Sequence, residues 1–330
     1  MNLHFNMTIL EWLADHRVEW LTSLARGASY MGEVEGYILI CTFIYAAFDK
    51  TLAVRLTLLV SLTMSFNHLL KILIKNPRPF VRGGDYLQRW SVPPDYARDL
   101  AVEYSTPSGH AMAGASFYTF LYSAVDSRYV RIGAVTAALC LGICRPYLGV
   151  HYLEDILLGW AIGLCIGEFA LRSQKRIAKA WQTLEYDWQI AIAVIASVAF
   201  WAGTVAINGW RIDSQPRAFM GYAGTITGII IARPLELQLI DFDPRSGLVL
   251  LKIGRYLISV LLVVLTLKTL GVIFTHIAGN YTLTGYLLQY SRYCAVSVVG
   301  LFVAPWVFTR CGLANVCRLD SGAGSRYTND

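Results

Sequence analysis

The sequence predicts an all-α fold: a polytopic helical membrane protein with an N-terminal amphipathic helix and about four further spans after a helical core. Two observations carry that prediction. Of the 330 residues 55% are hydrophobic and only 15% charged, where a soluble domain carries about 25% charged residues. Several apolar runs also approach or exceed the roughly 18–20 residues needed to cross a bilayer, and the mean hydropathy is +0.48.

In chain order, residues 8–28 place Leu10, Leu13, Trp20, Leu21 and Leu24 at helical spacing with Asp15, Arg17 and Glu19 between them, which reads as an amphipathic helix in the membrane interface. Spanning helices are expected at 34–48, 54–75, 107–125, 130–147 and 151–171. The basic stretch with Arg172, Lys175, Arg176 and Lys179 reads as a cytoplasmic linker, 172–187. Four more apolar runs follow at 188–208, 218–232, 247–274 and 286–308, the second short and Gly-rich. The expected division is a core over 1–171, the linker, a transmembrane extension over 188–310 and a cytoplasmic tail over 311–330. The long connection 76–106 carries Pro77, Pro79, Gly83, Gly84, Pro93 and Pro94, which cannot continue a helix.

Several classes are excluded. The net charge of +6 comes from basic residues at the ends of apolar runs, a pattern of membrane topology and not of nucleic-acid binding. Seven cysteines form no CxxC pair and no Cys/His cluster, so neither a disulfide framework nor a zinc site is indicated. The N-terminus has no basic start followed by a compact apolar core, so insertion is expected to rely on the first span.

Three short clusters carry chemistry. Lys71 and Arg78-Pro79 lie at the end of the second span, Pro107-Ser108-Gly109-His110 at the start of the third, and Arg145, His151 and Asp155 around the turn from the fourth to the fifth. Counting spans puts all three on one side of the membrane. Lys71, Arg78 and Arg145 are costly cations at membrane depth. With two histidines and one nearby carboxylate, they call for an anion. Arg binds phosphate through its planar fork, Lys as a point charge. Ser108 and Gly109 open a helix, whose free N–H groups favour an anion. His151 and Asp155, four apart, share a helix face. Asp155 can fix one ring nitrogen and leave the other free to attack.

Each cluster alone has a plainer reading. His151 and Asp155 could form a structural hydrogen bond, Lys71 or Lys75 could snorkel to the interface, and Ser108 could be only a helix cap. His110 and His151 could be metal ligands, although no third histidine and no acidic cluster supports that. Their joint occurrence in this order, on one side, favours the anion site.

These residues resemble the type 2 phosphatidic acid phosphatase (PAP2) superfamily, whose motifs are K-x6-RP, PSGH and SR-x5-H-x3-D. Lys71 through Arg78-Pro79, Pro107 through His110, and Arg145 through His151 and Asp155 match, with Cys144 where the family has Ser. The resemblance covers roughly 8–171, and the C-terminal part resembles the tail of longer bacterial members. It implies a metal-independent phosphatase that uses no cofactor. His151 would be the nucleophile, Asp155 its orienting carboxylate and His110 the general acid and base. Lys71, Arg78, Ser108, Gly109 and Arg145 would bind phosphate.

The excess of basic residues on the opposite face, clearest at 172–179, puts the site outside the cytoplasm, and the resemblance to bacterial members implies an integral protein of a bacterial inner membrane with the site facing the periplasm or exterior. A site at that depth suits a lipid phosphate or pyrophosphate. Tyr86, Trp90 and Tyr96 could form a lid, contact a headgroup or anchor the loop at the interface. A lipid phosphotransferase would use the same residues. A soluble vanadium-type haloperoxidase is excluded by the apolar spans. A lipid transporter or scramblase is the non-enzyme alternative; Lys268 and Arg292 could line its pathway or merely sit near an interface. No sequence feature speaks to oligomeric state.

Overall fold

A computed structural model describes residues 7–82, 100, 103–212 and 218–317. The described residues form helices α1 (Thr8–Asp15), α2 (Glu19–Met31), α3 (Val34–Ala47), α4 (Lys50–Ile74), α5 (Pro79–Arg82), α6 (Gly109–Ala124), α7 (Arg128–Leu148) and α8 (Leu153–Gln182). The extension adds α9 (Tyr186–Ile207), α10 (Ala218–Leu239), α11 (Val249–Ile277), α12 (Leu283–Val298), a π-helical turn (Val299–Val303) and α13 (Ala304–Arg310). Among the described residues seven segments are long and apolar enough to cross a membrane: Lys50–Val81, α7 through α11, and Leu283–Arg310. The protein is an integral membrane protein of the predicted all-α class.

The central contact is between α6 and α8. Gly159, Gly163 and Gly167 recur every fourth residue along α8 and meet Ala111, Ala115 and neighbouring backbone of α6. A Cβ at Gly163 would lie 2.4 Å from the Met112 carbonyl oxygen, so only glycine permits this approach. Small residues let backbones close where there is no water to drive association. The two helices run in parallel, which brings the N-terminus of α6 beside that of α8. Helices α7 and α4 complete the wall around α6.

The Gly-rich run of the extension follows the same rule. A Cβ at Gly224 on α10 would meet the Tyr290 carbonyl oxygen of α12 at 2.1 Å. Helices α10 and α11 pack in turn on α4 and α3. At the end of the bundle away from the three motifs, Lys50 at the start of α4 donates to Glu236 (2.9 Å) and Asp241 (2.6 Å) of the extension. Arg233 also pairs with the fully buried Glu236 at 2.5 Å. Arg255 donates to the carbonyls of Asp243, Pro244 and Ser246. The Leu235-Glu236 and Phe242-Asp243-Pro244-Arg245 segments thus form the joint between core and extension.

Three expectations differ in detail. The N-terminal amphipathic segment is two helices, broken at 16–18. Trp20 and Leu24 stay 69% and 62% exposed, as suits a lipid-facing side, while the small residues Thr22, Ala25 and Ser29 turn inward and α2 packs on α7. The runs at 34–48 and 107–125 form helices of 14 and 16 residues, roughly 21 and 24 Å long at 1.5 Å per residue. Both are short for a full crossing, and α6 is enclosed by protein along almost its whole length. The basic stretch read as a linker continues α8 as far as Gln182. It contains no Pro or Gly to stop a helix, and Arg172 pairs with Glu168 one turn back at 2.7 Å. Tyr86, Trp90 and Tyr96 lie outside the described residues.

Candidate active site

Four chain turns meet at one end of the bundle. Helix α4 ends because Lys75 takes the left-handed conformation (φ 55°) and two prolines follow. This leaves Lys71 in the last turn and sends Arg78 back over it. Ser108 starts α6, its hydroxyl accepting from the Ala111 N–H at 3.5 Å. Helix α7 ends at Gly149 (φ 79°), so the chain reverses between Arg145 and His151. Asp155 accepts from the Tyr152 N–H at 2.9 Å, at the start of α8.

The structure brings the predicted residues together. His151 is 1% exposed. Its Nδ1 lies 3.2 Å from Asp155 Oδ2 and its Nε2 lies 3.1 Å from an Arg78 guanidinium nitrogen. Arg has only donors, so Nε2 accepts from Arg78 and the ring proton sits on Nδ1, donated to Asp155. Ser105 and Thr106 donate to the two oxygens of Asp155, each at 2.5 Å. The Ser108 N–H donates to the Asp155 backbone carbonyl at 3.1 Å, tying the two helix starts. The charges of Arg78, Arg145 and Lys71 all act on His151.

Arg145 donates to the Ser29 hydroxyl, and its buried Nε has no partner among the described residues. His110 packs against Gly32, where a Cβ would come within 2.6 Å of the ring. Its Nε2 lies 3.1 Å from Glu33 Oε1. Gly109 leaves little room: a Cβ there would meet Met64 at 3.1 Å and Asn67 at 3.2 Å.

The charge balance corrects the sequence reading, which counted one carboxylate beside the cations. Glu103 bridges Lys71 (3.0 Å) and Arg78 (3.3 Å), and Glu33 faces His110. Burial alone would raise the pKa of Glu103, but Lys71 and Arg78 outweigh it and hold the pKa down at about 2. Among the described residues no group of three His, Cys, Asp or Glu side chains is placed to hold a metal ion.

Two family models match the chain, the PAP2 superfamily over residues 52–179 and the PAP2 superfamily phosphatase transmembrane extension over 220–316. The chain belongs to the PAP2 superfamily. Phosphatidylglycerophosphatase B of Bacillus subtilis is 28% identical over 161 residues, covering 46% of this chain and 73% of that one. Undecaprenyl-diphosphatase of Sulfolobus acidocaldarius is 25% identical over 49% of this chain and 75% of its own length. Sphingosine-1-phosphate phosphatase 2 of Mus musculus is 30% identical over 41% and 38%. Among solved structures, a PAP2-type phosphatidylglycerolphosphate phosphatase from Bacillus subtilis aligns with TM-score 0.41 at 23% identity, over 51% of this chain and 84% of that one. Aquifex aeolicus LpxE aligns with TM-score 0.42 at 20% identity, over 51% and 94%.

Within this PAP2 core, Cys144 directs its thiol to the Leu141 carbonyl at 3.4 Å. Sequence reasoning missed Ser29, Glu33, Glu103, Ser105 and Thr106. Three of these stand in the seven residues before His110, so proximity to PSGH was an available signal. Ser29 and Glu33 carried none, because their contacts depend on how α2 and α3 dock.

Proposed function

We propose that this chain is an integral membrane phosphatase that hydrolyses a lipid phosphate or pyrophosphate through a phosphohistidine, without a metal, on the extracytoplasmic face. The observation that carries the reading is the state of His151: Nδ1–H is held by Asp155, and Nε2 is unprotonated, accepting from Arg78 until a phosphate takes that guanidinium. The lipid relatives add support. Their names specify phosphatidylglycerophosphate, undecaprenyl diphosphate and sphingosine 1-phosphate, three phosphorylated amphiphiles.

In the first step His151 Nε2 attacks phosphorus, the P–O bond to the leaving group breaks, and His110 donates a proton to that oxygen. Asp155 stabilises the imidazolium through Nδ1–H. In the second step His110 takes a proton from water, the water oxygen bonds phosphorus, and the P–N bond breaks to release inorganic phosphate. Lys71, Arg78, Arg145, the Ser108 hydroxyl and the Gly109 N–H hold the equatorial oxygens. Positioning and charge stabilisation supply most of the catalysis in such transfers. Glu103 occupies two of these cations in the free protein and yields them to the phosphate. The extracytoplasmic orientation is supported by the basic residues at the opposite end of the bundle, from Lys50 to the end of α8.

Phosphate release from detergent-solubilised lipid phosphates tests the reading. His151→Ala should abolish turnover and Arg145→Ala should lower it by about 10²–10³, with EDTA without effect on the wild type. Substantial turnover by His151→Ala would overturn the assignment, and a strict metal requirement would overturn the metal-free mechanism.

A further inference from the structure

A cavity of about 160 Å³ runs along the seam between core and extension. At one end it is lined by Gly32, Glu33 and His110, so it opens from the candidate active site itself. From there Glu33, Tyr37, Cys41 and Tyr45 line it at four-residue steps, one face of α3. Twelve residues at 1.5 Å rise carry it about 18 Å into the bundle, more than half of the roughly 30 Å hydrocarbon core. The far end is closed where the Tyr45 hydroxyl donates to the Leu301 carbonyl at 2.9 Å.

The opposite wall belongs to the extension. Tyr222, Thr225 and Ile229 of α10 line it together with Gly300 and Leu301 of the π-helical turn. Gly300 leaves that wall without a side chain, and π-turns inside helices recur at functional sites. An apolar cavity of about 150 Å³ accepts a benzene-sized ligand, so this one takes a stretch of about six carbons of one chain and not a bulky group. One polar atom stands out. The Tyr37 hydroxyl is buried and has no hydrogen-bond partner among the described residues. Such an atom is costly unless something else satisfies it. It sits one helical turn deeper than Glu33, between the His110 end and the apolar depth.

We infer that the C-terminal extension completes a binding groove for one hydrocarbon chain of the phosphorylated lipid. The phosphate lies at the His110 and His151 end, a polar group linking phosphate to chain meets the Tyr37 hydroxyl, and the chain runs between α3 and α10. The substrate class is a phosphate joined through a short polar linkage to an unbranched hydrocarbon chain, whose carbons nearest the linkage fill the groove. This placement rests on the phosphatase reading for the position of the phosphate.

Thr225→Phe plugs the groove from the extension side, away from every residue assigned to the chemistry. Turnover is measured on oleoyl lysophosphatidate in detergent and on water-soluble para-nitrophenyl phosphate. The inference predicts that kcat/KM for the lipid falls about 10-fold or more, the scale on which apolar pockets discriminate, while para-nitrophenyl phosphate stays within about twofold. Equal effects on both substrates would overturn it. A bulky residue could also disturb packing, so unsubstituted protein provides an independent arm. A long-chain alkyl phosphate carrying a diazirine within its first few carbons should label peptides of α10 and the π-turn. Labelling confined to the lipid-facing sides of α9 and α11 would overturn the groove. Wild-type protein that releases phosphate from neither substrate would instead contradict the phosphatase reading, and the photolabelling outcome would still decide the groove.

Discussion

At the scale of single residues, the site is held ready by opposed charges. Lys71 and Arg78 are buried next to His151, and Glu103 balances them in the free protein. Its side chain is 32% exposed, as fits a carboxylate that can swing away when phosphate arrives. Glu103→Gln should therefore bind orthovanadate, a phosphoryl mimic, about 10-fold more tightly, the scale of one hydrogen bond to a charged group. Unchanged or weaker inhibition would mean that Glu103 does not compete for the cations. The sign with pH follows from the same pair. Glu103 is held below its ordinary carboxylate value, near 2, so its stabilising contribution is complete above about pH 4.5 and is lost as pH falls toward 2. Thermal melting in detergent across that window should drop less for Glu103→Gln than for wild type. The predicted site residues were legible because motif spacing preserves their chemistry: Lys71, Arg78, His151 and Asp155 are joined by direct contacts or through Glu103. Glu103 stood close to PSGH, but that proximity did not say which residue of the long connection returns to Lys71, which only its fold decides.

At the scale of elements, the reaction geometry depends on two helix starts being held side by side. The glycine stripe of α8 does this, and Gly163 is its tightest point. Gly163→Leu should force α6 and α8 apart, destabilise the protein by about 1–3 kcal/mol as overpacking does, and sharply reduce turnover. Gly133→Leu on α7, where a Cβ meets open space, is the matched control and should leave both properties near wild type. Equal behaviour of the two variants in melting and phosphate-release measurements would contradict the role given to the stripe. Apolar runs made the existence of the helices legible, because hydrocarbon burial leaves a strong compositional mark. Their ends were less so. The basic run 172–179 reads as a connection, yet nothing in it breaks a helix, and α8 of 30 residues extends about 45 Å, well beyond the hydrocarbon thickness. Which side of α2 would turn inward was also hidden, since Thr22, Ala25 and Ser29 are small and carry little hydropathy signal.

At the scale of the whole molecule, the extension is fastened to the core by a buried charge cluster. Glu236, fully buried, receives Lys50 from α4 and Arg233 from its own helix, and Phe242 packs against Tyr45 and Phe308 beside it. This joint lies at the end of the bundle opposite the catalytic turns, and the groove runs between the two. The proposed orientation puts the joint in the cytoplasm. In a cysteine-free background, Arg89→Cys should react with a membrane-impermeant thiol reagent in intact cells, and Lys175→Cys only after lysis. The reverse pattern would invert the topology. The proposed mechanism turns on one covalent bond. Wild-type protein mixed with ³²P-labelled lysophosphatidate and quenched in alkali within a turnover should carry acid-labile, base-stable label on the peptide containing His151. Turnover without any trapped phosphohistidine, or label that persists in His151→Ala, would contradict it.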